Sequence, residues 1–473
     1  MRVLAIDQGT SGTKAVVVED GLVVASAEEP VRPAYLSDGR VEQDPAALLE
    51  SVLSAGRRAV ADAGSSIDAV ALANQGETVL AWDPGSGAPL TTAIVWQDGR
   101  AESVCADLAE HRERVAAATG LVLDPYFSAP KMAWIRRNLT RDGVVTTTDS
   151  WLLHALTGEL VTDVTTASRS LVLDLDAVDW SPELLAVFGL GDERLPRLVA
   201  CDEVVGTTSA FGGADVPVVG LLVDQQAALL AQDCRAAGET KCTYGTGAFL
   251  LTSTGAAPTR STAGLTTSVA SRLRGETSYC LDGQVYTAAS AVRWLVDLGL
   301  IGRSHDVDSV AVDDDAVLFV PALAGLAAPW WRSDATASLH GMTLSTDRGA
   351  VVAAVLRGIA ATVVDLLDVV SADLGSPVPR LRVDGGLTRS AFLMQAQADL
   401  AQVPIEVYPS PDATALGAAS AAVIGLDPSR PVADVVGGWE PVATYEPLWS
   451  ADRAAEHLGR WRAAVRRELE LGA

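Results

Sequence analysis

Residues 3–18 read VLAIDQGTSGTKAVVV, and residues 240–253 read TKCTYGTGAFLLTS. In each stretch a turn of glycine and hydroxyl residues joins two apolar runs, which predicts a β-hairpin. The two hairpins lie at corresponding places in the two halves of the chain, and this indicates a duplicated architecture. A third stretch, LRVDGGLTRSAFLMQ at residues 381–395, predicts a strand followed by a helix that Thr388 or Ser390 can cap, a helix start that binds anions readily.

The rest of the chain alternates helical periodicity with short apolar strands, which is an α/β pattern. The predicted helices cover residues 45–63, 288–298, 349–374 and 412–424, and the predicted strands include 67–73, 316–321 and 405–408. We place the domain boundary near Asp233 to Gly238, which gives domains of residues 1–233 and 234–473. The helix at 412–424 is rich in small residues, so its backbone can approach a neighbour closely.

The composition excludes several classes of protein. The 473 residues include 60 acidic and 35 basic side chains, and a net charge of −25 repels nucleic acids and anionic membranes. An anionic ligand must then be held by backbone donors, a helix N-terminus or a metal ion. The five cysteines have no disulfide or zinc spacing, which favours a reducing compartment. Charged residues interrupt the apolar stretch 349–370, so we expect a buried helix, no membrane insertion and a cytoplasmic protein.

Polar residues follow several predicted strands, at the sheet edge where ligands collect. Asp224 and Gln225 follow the strand 216–223, and such a carboxylate can accept a proton from an attacking hydroxyl; a helix N-cap is the structural alternative. Asp7 ends the first strand and can hold Mg²⁺ through water, or can simply form a turn. Glu77 and Trp96 follow two further strands, so the sequence predicts a pocket for a small polar ligand.

Taken in order, these motifs resemble the FGGY carbohydrate kinases, and within them the glycerol kinases, over nearly the whole chain. The matching segments are residues 7–14, 74–78, 93–97, 120–128, 126–138, 223–229, 244–249, 321–331 and 382–386. The resemblance implies an α/β fold of two actin-like (ribonuclease H-like) domains that close on a cleft for ATP, Mg²⁺ and a polyol. The duplicated hairpins already point to the same arrangement.

The resemblance also implies residue roles. Asp224 would be the catalytic base, and Asp7 would act through the metal. The polyol would be lined by Gly76, Glu77, Trp96, Tyr126, Asp224, Gln225 and Phe249. The phosphates would face Thr10, Ser11, Thr13 and Lys14, and the rest of the nucleotide would lie near Thr246, Gly247, Ala289, Arg293, Gly385, Gly386 and Ser390.

The chain departs from the family pattern in three places. Gly76 stands where glycerol kinases have an arginine, which opens volume beside Glu77 and Trp96. A polar cavity there favours a four- or five-carbon polyol as a rival to glycerol, unless an Arg or Lys from a neighbouring loop fills it. Ala289 and Arg293 replace a glycine and a glutamine on the adenine side. The second signature is matched loosely, at Ala350 and Arg357.

The predicted function is ATP-dependent transfer of phosphate to a terminal hydroxyl of glycerol or a closely related polyol. The alternatives are a kinase of a longer polyol or a sugar, and an actin-like ATP-binding sensor or ATPase without sugar chemistry. A polyol pocket around Asp224, Trp96 and Tyr126 argues against the second alternative. The loop at 211–216 contains Asp215 and no arginine, which predicts insensitivity to fructose 1,6-bisphosphate. The oligomeric state stays open between a monomer and a homo-oligomer.

Overall fold

The computed structural model describes residues 1–471, so the last two residues of the predicted second domain lie outside the described residues. The strands of the N-terminal half are β1 Arg2–Gln8, β2 Gly12–Glu19, β3 Leu22–Pro30, β4 Ala34–Tyr35, β5 Val41–Gln43, β6 Ala69–Asn74, β7 Val79–Trp82, β8 Ala93–Ile94, β9 Val144–Thr147, β10 Val161–Asp163, β11 Leu173–Asp174, β12 Asp179–Trp180, β13 Arg197–Val199, β14 Gly206–Thr208 and β15 Val216–Val223. Its helices are α1 Pro45–Ala63, α2 Glu102–Asp107, α3 Arg112–Thr119, α4 Ser128–Asn138, α5 Thr148–Thr157, α6 Val164–Ala167, α7 Pro182–Phe188 and α8 Asp224–Ala231.

The C-terminal half repeats the mixture of strands and helices. Its strands are β16 Thr240–Tyr244, β17 Ala248–Gly255, β18 Thr266–Leu273, β19 Glu276–Val285, β20 Leu318–Val320, β21 Ser338–His340, β22 Leu381–Asp384, β23 Ile405–Val407 and β24 Ala443–Tyr445. Its helices are α9 Ala289–Asp297, α10 Val307–Val310, α11 Arg348–Leu374, α12 Ala391–Ala401, α13 Ala413–Leu426, α14 Val432–Val436 and α15 Ala451–Leu471.

The two large sheets share one plan, in which a hairpin lies beside a parallel strand. The first sheet has the order β14-β15-β6-β1-β2-β3, and the second has the order β18-β19-β17-β16-β22-β23-β24. In the first sheet β1 pairs antiparallel with β2 and parallel with β6. In the second sheet β16 pairs antiparallel with β17 and parallel with β22. Both predicted hairpins and the duplicated architecture are therefore confirmed.

Helix α13 lies in the second half of the chain but packs against the sheet of the first half. Ala415, Ala418 and Ala421 on this helix are buried in the same apolar cluster as Val3 and Ala71 of the first sheet. Its small residues allow this packing, because a Cβ atom at position 417 would collide with the backbone of α8. Helix α13 of the predicted second domain therefore packs against the sheet of the first domain.

Helix α11 is the long apolar helix that the sequence predicted as a core element. The most apolar 18-residue window of this helix is long and hydrophobic enough to cross a membrane, but 89% of it is buried inside the protein. Asp347 caps its start by accepting from the backbone N–H of Ala350, and Gly375 ends it in the left-handed conformation. Arg357 is buried on this helix, where its guanidinium pairs with Asp313 at 2.7 Å. The helix therefore forms the centre of the second domain.

Candidate active site

The turns of both hairpins face one cavity of about 220 Å³ that lies between the two halves of the chain. Eleven of the predicted site residues line it: Thr10, Ser11, Gly76, Glu77, Trp96, Tyr126, Asp224, Gln225, Thr246, Gly247 and Phe249. Nine further residues that were not assigned to the site also line it, namely Tyr35, Gln97, Arg169, Val223, Gln226, Thr243, Gly245, Asp282 and Tyr286. The structure thus brings the predicted polyol residues and both glycine turns into one space.

Asp224 lies where the parallel strand β15 ends and α8 begins. It is the first residue of α8 rather than its N-cap, because Val223 occupies the cap position. Its Oδ1 accepts from the backbone N–H of Gln225 at 2.7 Å. Burial, together with the nearby carboxylate of Glu77, raises the pKa of Asp224 to about 6. The group is therefore ionised at neutral pH while its pKa stays close enough to neutrality for general base catalysis.

Gln225 is oriented by a buried lysine that sequence reasoning missed. The ammonium of Lys241 on β16 donates to Gln225 Oε1 at 2.6 Å and to Thr243 Oγ1 at 2.8 Å. Thr243 in turn donates to Asp384 Oδ1 at 2.6 Å, at the end of β22. Because an ammonium only donates, it fixes the oxygen of the Gln225 amide and leaves the NH₂ group as a donor to the cavity.

Glu77 lies at the centre of a strained turn. The backbone N–H of Thr78 donates to the carbonyl of Gly76 at 2.7 Å, and Glu77 has a φ of 58°, a γ-turn geometry that is rare outside glycine. The Glu77 side chain is buried and accepts from Arg169 Nε at 2.6 Å. Burial raises the pKa of Glu77, and the charge of Arg169 opposes that rise.

The space next to Gly76 contains the side chain of Val223. A Cβ atom built on Gly76 would lie 2.9 Å from Val223 Cγ2, closer than van der Waals contact permits. An apolar methyl group therefore fills part of the volume beside Gly76, although Gly76 still lines the cavity. Arg169 lies on the other side of Glu77, so the pocket contains an arginine from another part of the chain.

An aromatic wall connects the first hairpin turn to this pocket. Trp96 Nε1 donates to Thr10 Oγ1 at 2.8 Å. The Trp96 ring meets the rings of Tyr126 and Phe249 edge to face, with centroid distances of 5.5 and 6.2 Å. Such ring faces suit the C–H groups of a polyol, and the hydroxyl of Thr10 can still donate to a phosphate oxygen.

Two of the predicted phosphate residues are engaged elsewhere. The Thr13 hydroxyl is buried and hydrogen-bonds Ser51 on α1 at 2.7 Å, on the side of the sheet away from the cavity. Side chains alternate along a strand, so Thr13 and its neighbours point in opposite directions. Lys14 forms an ion pair with Asp412, which precedes α13. The expected contact of the Thr13 side chain with phosphate is therefore wrong, whereas Lys14, which is partly exposed, keeps further N–H donors beside its ion pair with Asp412.

Five of the residues predicted for the nucleotide do not line this cavity, namely Ala289, Arg293, Gly385, Gly386 and Ser390. Ala289 begins α9, where its backbone N–H donates to the carbonyl of Gly245 at 3.0 Å. Arg293 is exposed and pairs with Asp297 at 3.4 Å. Gly385 has a φ of 96°, and a Cβ atom there would collide with the Tyr244 backbone. Gly386, the next residue, has open space around its Cα.

The carboxylate of Asp308 lies at the start of α12. Ser390 caps the helix through Leu393, and its hydroxyl also donates to Asp308 Oδ1 at 2.5 Å. The second oxygen of Asp308 accepts from the backbone N–H of Ala391 at 2.7 Å. The expectation that this helix start is free for a ligand phosphate, with Ser390 as a contact, is therefore wrong in this state because a carboxylate occupies it.

Asp7 lies in a group of carboxylates below the cavity. Burial and the nearby carboxylate of Asp224 together raise the pKa of Asp7 to about 7, although Lys14, which faces Asp7 across the hairpin, opposes the rise. Within residues 1–471, no three metal-ligating side chains converge on one point. Mg²⁺ needs few protein carboxylates when substrate phosphates and water complete its shell, so the half-buried carboxylate of Asp7 fits this ion.

Comparisons with known proteins agree with this geometry. Residues 2–231 match the N-terminal domain of the FGGY family of carbohydrate kinases, and residues 240–426 match its C-terminal domain. The chain is 41% identical to a glycerol kinase of Aromatoleum aromaticum, and the alignment covers 98% of each chain. It is also 41% identical to a glycerol kinase of Thermus brockianus, with the same coverage.

Solved structures have the same fold. A glycerol kinase of Plasmodium falciparum with ADP superposes with a TM-score of 0.91 at 31% identity, over 99% of this chain and 98% of that chain. A ligand-bound xylulose kinase of Lactobacillus acidophilus has a TM-score of 0.87 at 21% identity, over 99% and 98% of the two chains, and so shares the fold. This chain belongs to the FGGY family of carbohydrate kinases, and it is an ATP-dependent phosphotransferase.

Proposed function

We propose that this enzyme transfers the γ-phosphate of ATP to a terminal hydroxyl of glycerol or a closely related polyol. The observation that carries the proposal is the shared cavity, in which Asp224 and Gln225 lie together with the two glycine turns. The names of the full-length relatives, which are glycerol kinases, support the same substrate class.

The chemistry follows from the groups that face the cavity. Glu77 can accept a hydrogen bond from one polyol hydroxyl, and the Gln225 amide can donate to another. Asp224 takes the proton of the reacting hydroxyl as the new oxygen–phosphorus bond forms. The bond between the γ-phosphorus and the bridging oxygen then breaks, which gives ADP and a polyol phosphate. The backbone N–H groups and hydroxyls of both turns hold the phosphate oxygens.

We assign Mg²⁺ to the side of the cleft that contains Asp7. The ion would neutralise phosphate charge, which a chain of net charge −25 needs more than most proteins do. Asp7 would hold it with the phosphates and water, and the ion would relieve the repulsion between Asp7 and Asp224. The Lys14–Asp412 ion pair lies beside this position and can respond to it.

One observation supports the alternative of a longer polyol: Gly76 stands where glycerol kinases have an arginine donor. Val223 beside Gly76 and Arg169 beside Glu77 favour glycerol over a longer polyol, because they reduce the space left for a further CHOH unit. We also infer a cytoplasmic enzyme, since its five cysteines are buried free thiols.

A coupled assay of ADP release tests the proposal. Purified enzyme with MgATP should release ADP only when a polyol is present, and glycerol, tetritols and pentitols are then ranked by kcat/KM. Asp224→Asn serves as the control that keeps the shape of the site and removes the base. ADP release that does not depend on any polyol would support the ATPase alternative, and polyol binding without turnover would support the sensor.

A further inference from the structure

Arg169 is a buried cation at the junction of the two domains. It follows α6 in the first domain, and its side chain is only 4% exposed. Its Nε donates to Glu77 Oε1 at 2.6 Å, and its Nη1 donates to Asp282 Oδ2 on β19 of the second domain at 2.8 Å. The guanidinium therefore joins a polyol-pocket carboxylate to the opposite domain.

The surrounding structure holds Arg169 in one orientation. Asp163 caps α6 by accepting from the backbone N–H groups of Thr165 and Thr166, which fixes the helix that leads into Arg169. The neighbouring Ser168 hydroxyl accepts from the backbone N–H of Val269 in the second domain at 3.1 Å. The guanidinium also lies against aromatic rings, 5.4 Å from the centroid of Phe127.

One end of the guanidinium stays available to a ligand. Arg169 lines the cavity, and its Nη2 has no hydrogen-bond partner among residues 1–471. Both oxygens of Asp282 are used, because Gln284 Nε2 donates to Oδ1 at 2.6 Å. Only one oxygen of Glu77 is held by Arg169, so the other oxygen can accept from a hydroxyl group.

The backbone of Glu77 makes this support necessary. A non-glycine residue with a φ of 58° keeps that conformation only when surrounding contacts hold it. Nε of Arg169 is the donor that fixes the Glu77 carboxylate, so it also fixes the direction of the remaining oxygen.

We propose that Arg169 is a positioning and specificity-determining residue for the polyol. It orients the Glu77 carboxylate through Nε, ties it to the second domain through Asp282, and offers Nη2 as a donor to a polyol hydroxyl. This inference rests on the proposed function and adds a donor that compensates for the arginine absent at Gly76.

The test compares Arg169→Lys with a matched control. Lysine keeps the charge but loses the fork that spans two carboxylates. KM for glycerol should rise about 10- to 150-fold, the loss expected for one hydrogen bond to a charged group, while KM for MgATP stays within about twofold. Arg136→Lys is the control, because Arg136 makes a similar pair with Glu193 in the same domain but away from the cavity. This control should leave both KM values unchanged.

Asp282→Asn is the second variant, and it preserves the Arg169–Glu77 pair. It should raise KM for glycerol by less than Arg169→Lys does, without changing KM for MgATP, and it tests the inference even if Arg169→Lys fails to fold. Unchanged KM for glycerol in the folded variants, or an equal rise in both KM values, would overturn the role of Arg169. A wild-type protein that neither binds glycerol in calorimetry nor phosphorylates any polyol would instead overturn the proposed function, and this inference with it.

Discussion

The closeness of Val223 to Gly76 can be tested by a double-mutant cycle, which asks whether Val223 excludes an arginine at position 76 from the polyol site. A Cβ atom at position 76 would lie 2.9 Å from Val223 Cγ2, so any larger residue at that position must displace Val223. We expect Gly76→Arg alone to overpack the site at a cost of about 1–3 kcal/mol. The backbone itself permits arginine, since Gly76 is not in the left-handed region. The thermal midpoint of the Gly76→Arg variant should therefore fall, and its activity on glycerol should not increase.

Val223→Ala removes the obstructing methyl groups and should change the outcome. In that background Gly76→Arg can place its guanidinium beside Glu77 and donate to a glycerol hydroxyl. One hydrogen bond to a charged group contributes about 1.5–3 kcal/mol, so kcat/KM for glycerol should rise roughly 10- to 150-fold over Val223→Ala alone. The single variant Val223→Ala should raise the activity on tetritols relative to glycerol, because it enlarges the pocket.

The assay is coupled ADP release with glycerol and a tetritol, together with thermal melting of the wild type, both single variants and the double variant. Gly459→Arg is the control for the substitution itself, because this glycine lies exposed on α15 with no atom near its Cα hydrogen. The reasoning would be refuted if Gly76→Arg alone kept the wild-type melting temperature and raised kcat/KM on glycerol as much as the double variant does.

Three further predictions concern the base, the metal and regulation. Asp224→Ala should lower kcat by about 10²–10⁴ without loss of nucleotide binding, and turnover at the wild-type rate in this variant would remove the assignment. In the wild-type enzyme, kcat/KM should fall about tenfold per pH unit below pH 6, because the raised pKa leaves Asp224 protonated there. Asp7→Asn should weaken the Mg²⁺ dependence of the rate and leave the fold intact, as circular dichroism can check, and an unchanged magnesium titration would contradict the role of Asp7. Fructose 1,6-bisphosphate should not inhibit, because the exposed residues 212–215 of this loop include Asp215, and the adjacent Arg57 already donates to the Ala210 carbonyl at 2.8 Å. Inhibition at sub-millimolar concentration would place regulation elsewhere.

Local sequence patterns were sufficient for the elements and for much of the site. The glycine turns at 9–12 and 245–247 required hairpins, and Ser390 and Asp347 cap helices whose apolar periodicity was already visible. The bounds of the helices predicted at 45–63, 288–298, 349–374 and 412–424 differ from the observed ones by two residues or fewer. The residues that follow strand ends, such as Asp224, lie at the cavity because the carboxyl ends of parallel strands meet at one edge of the sheet.

The partners of those residues depended on the tertiary structure. Arg169 belongs to no motif. It joins the site because the segment at α6 packs against β18 across the domain junction, where Asp282 on the adjacent strand β19 pairs with Arg169. Lys241 looks like an ordinary strand residue until folding buries it beside Gln225.

The sequence by itself thus determined the duplicated α/β plan, the two glycine turns and the strand-end carboxylate, since each is encoded within a few neighbouring residues. Only the tertiary structure decided that α13 packs against the first sheet, that Asp308 covers the start of α12, and that Val223 lies beside Gly76. These are contacts between side chains far apart in the chain, and packing of whole elements sets them rather than local periodicity.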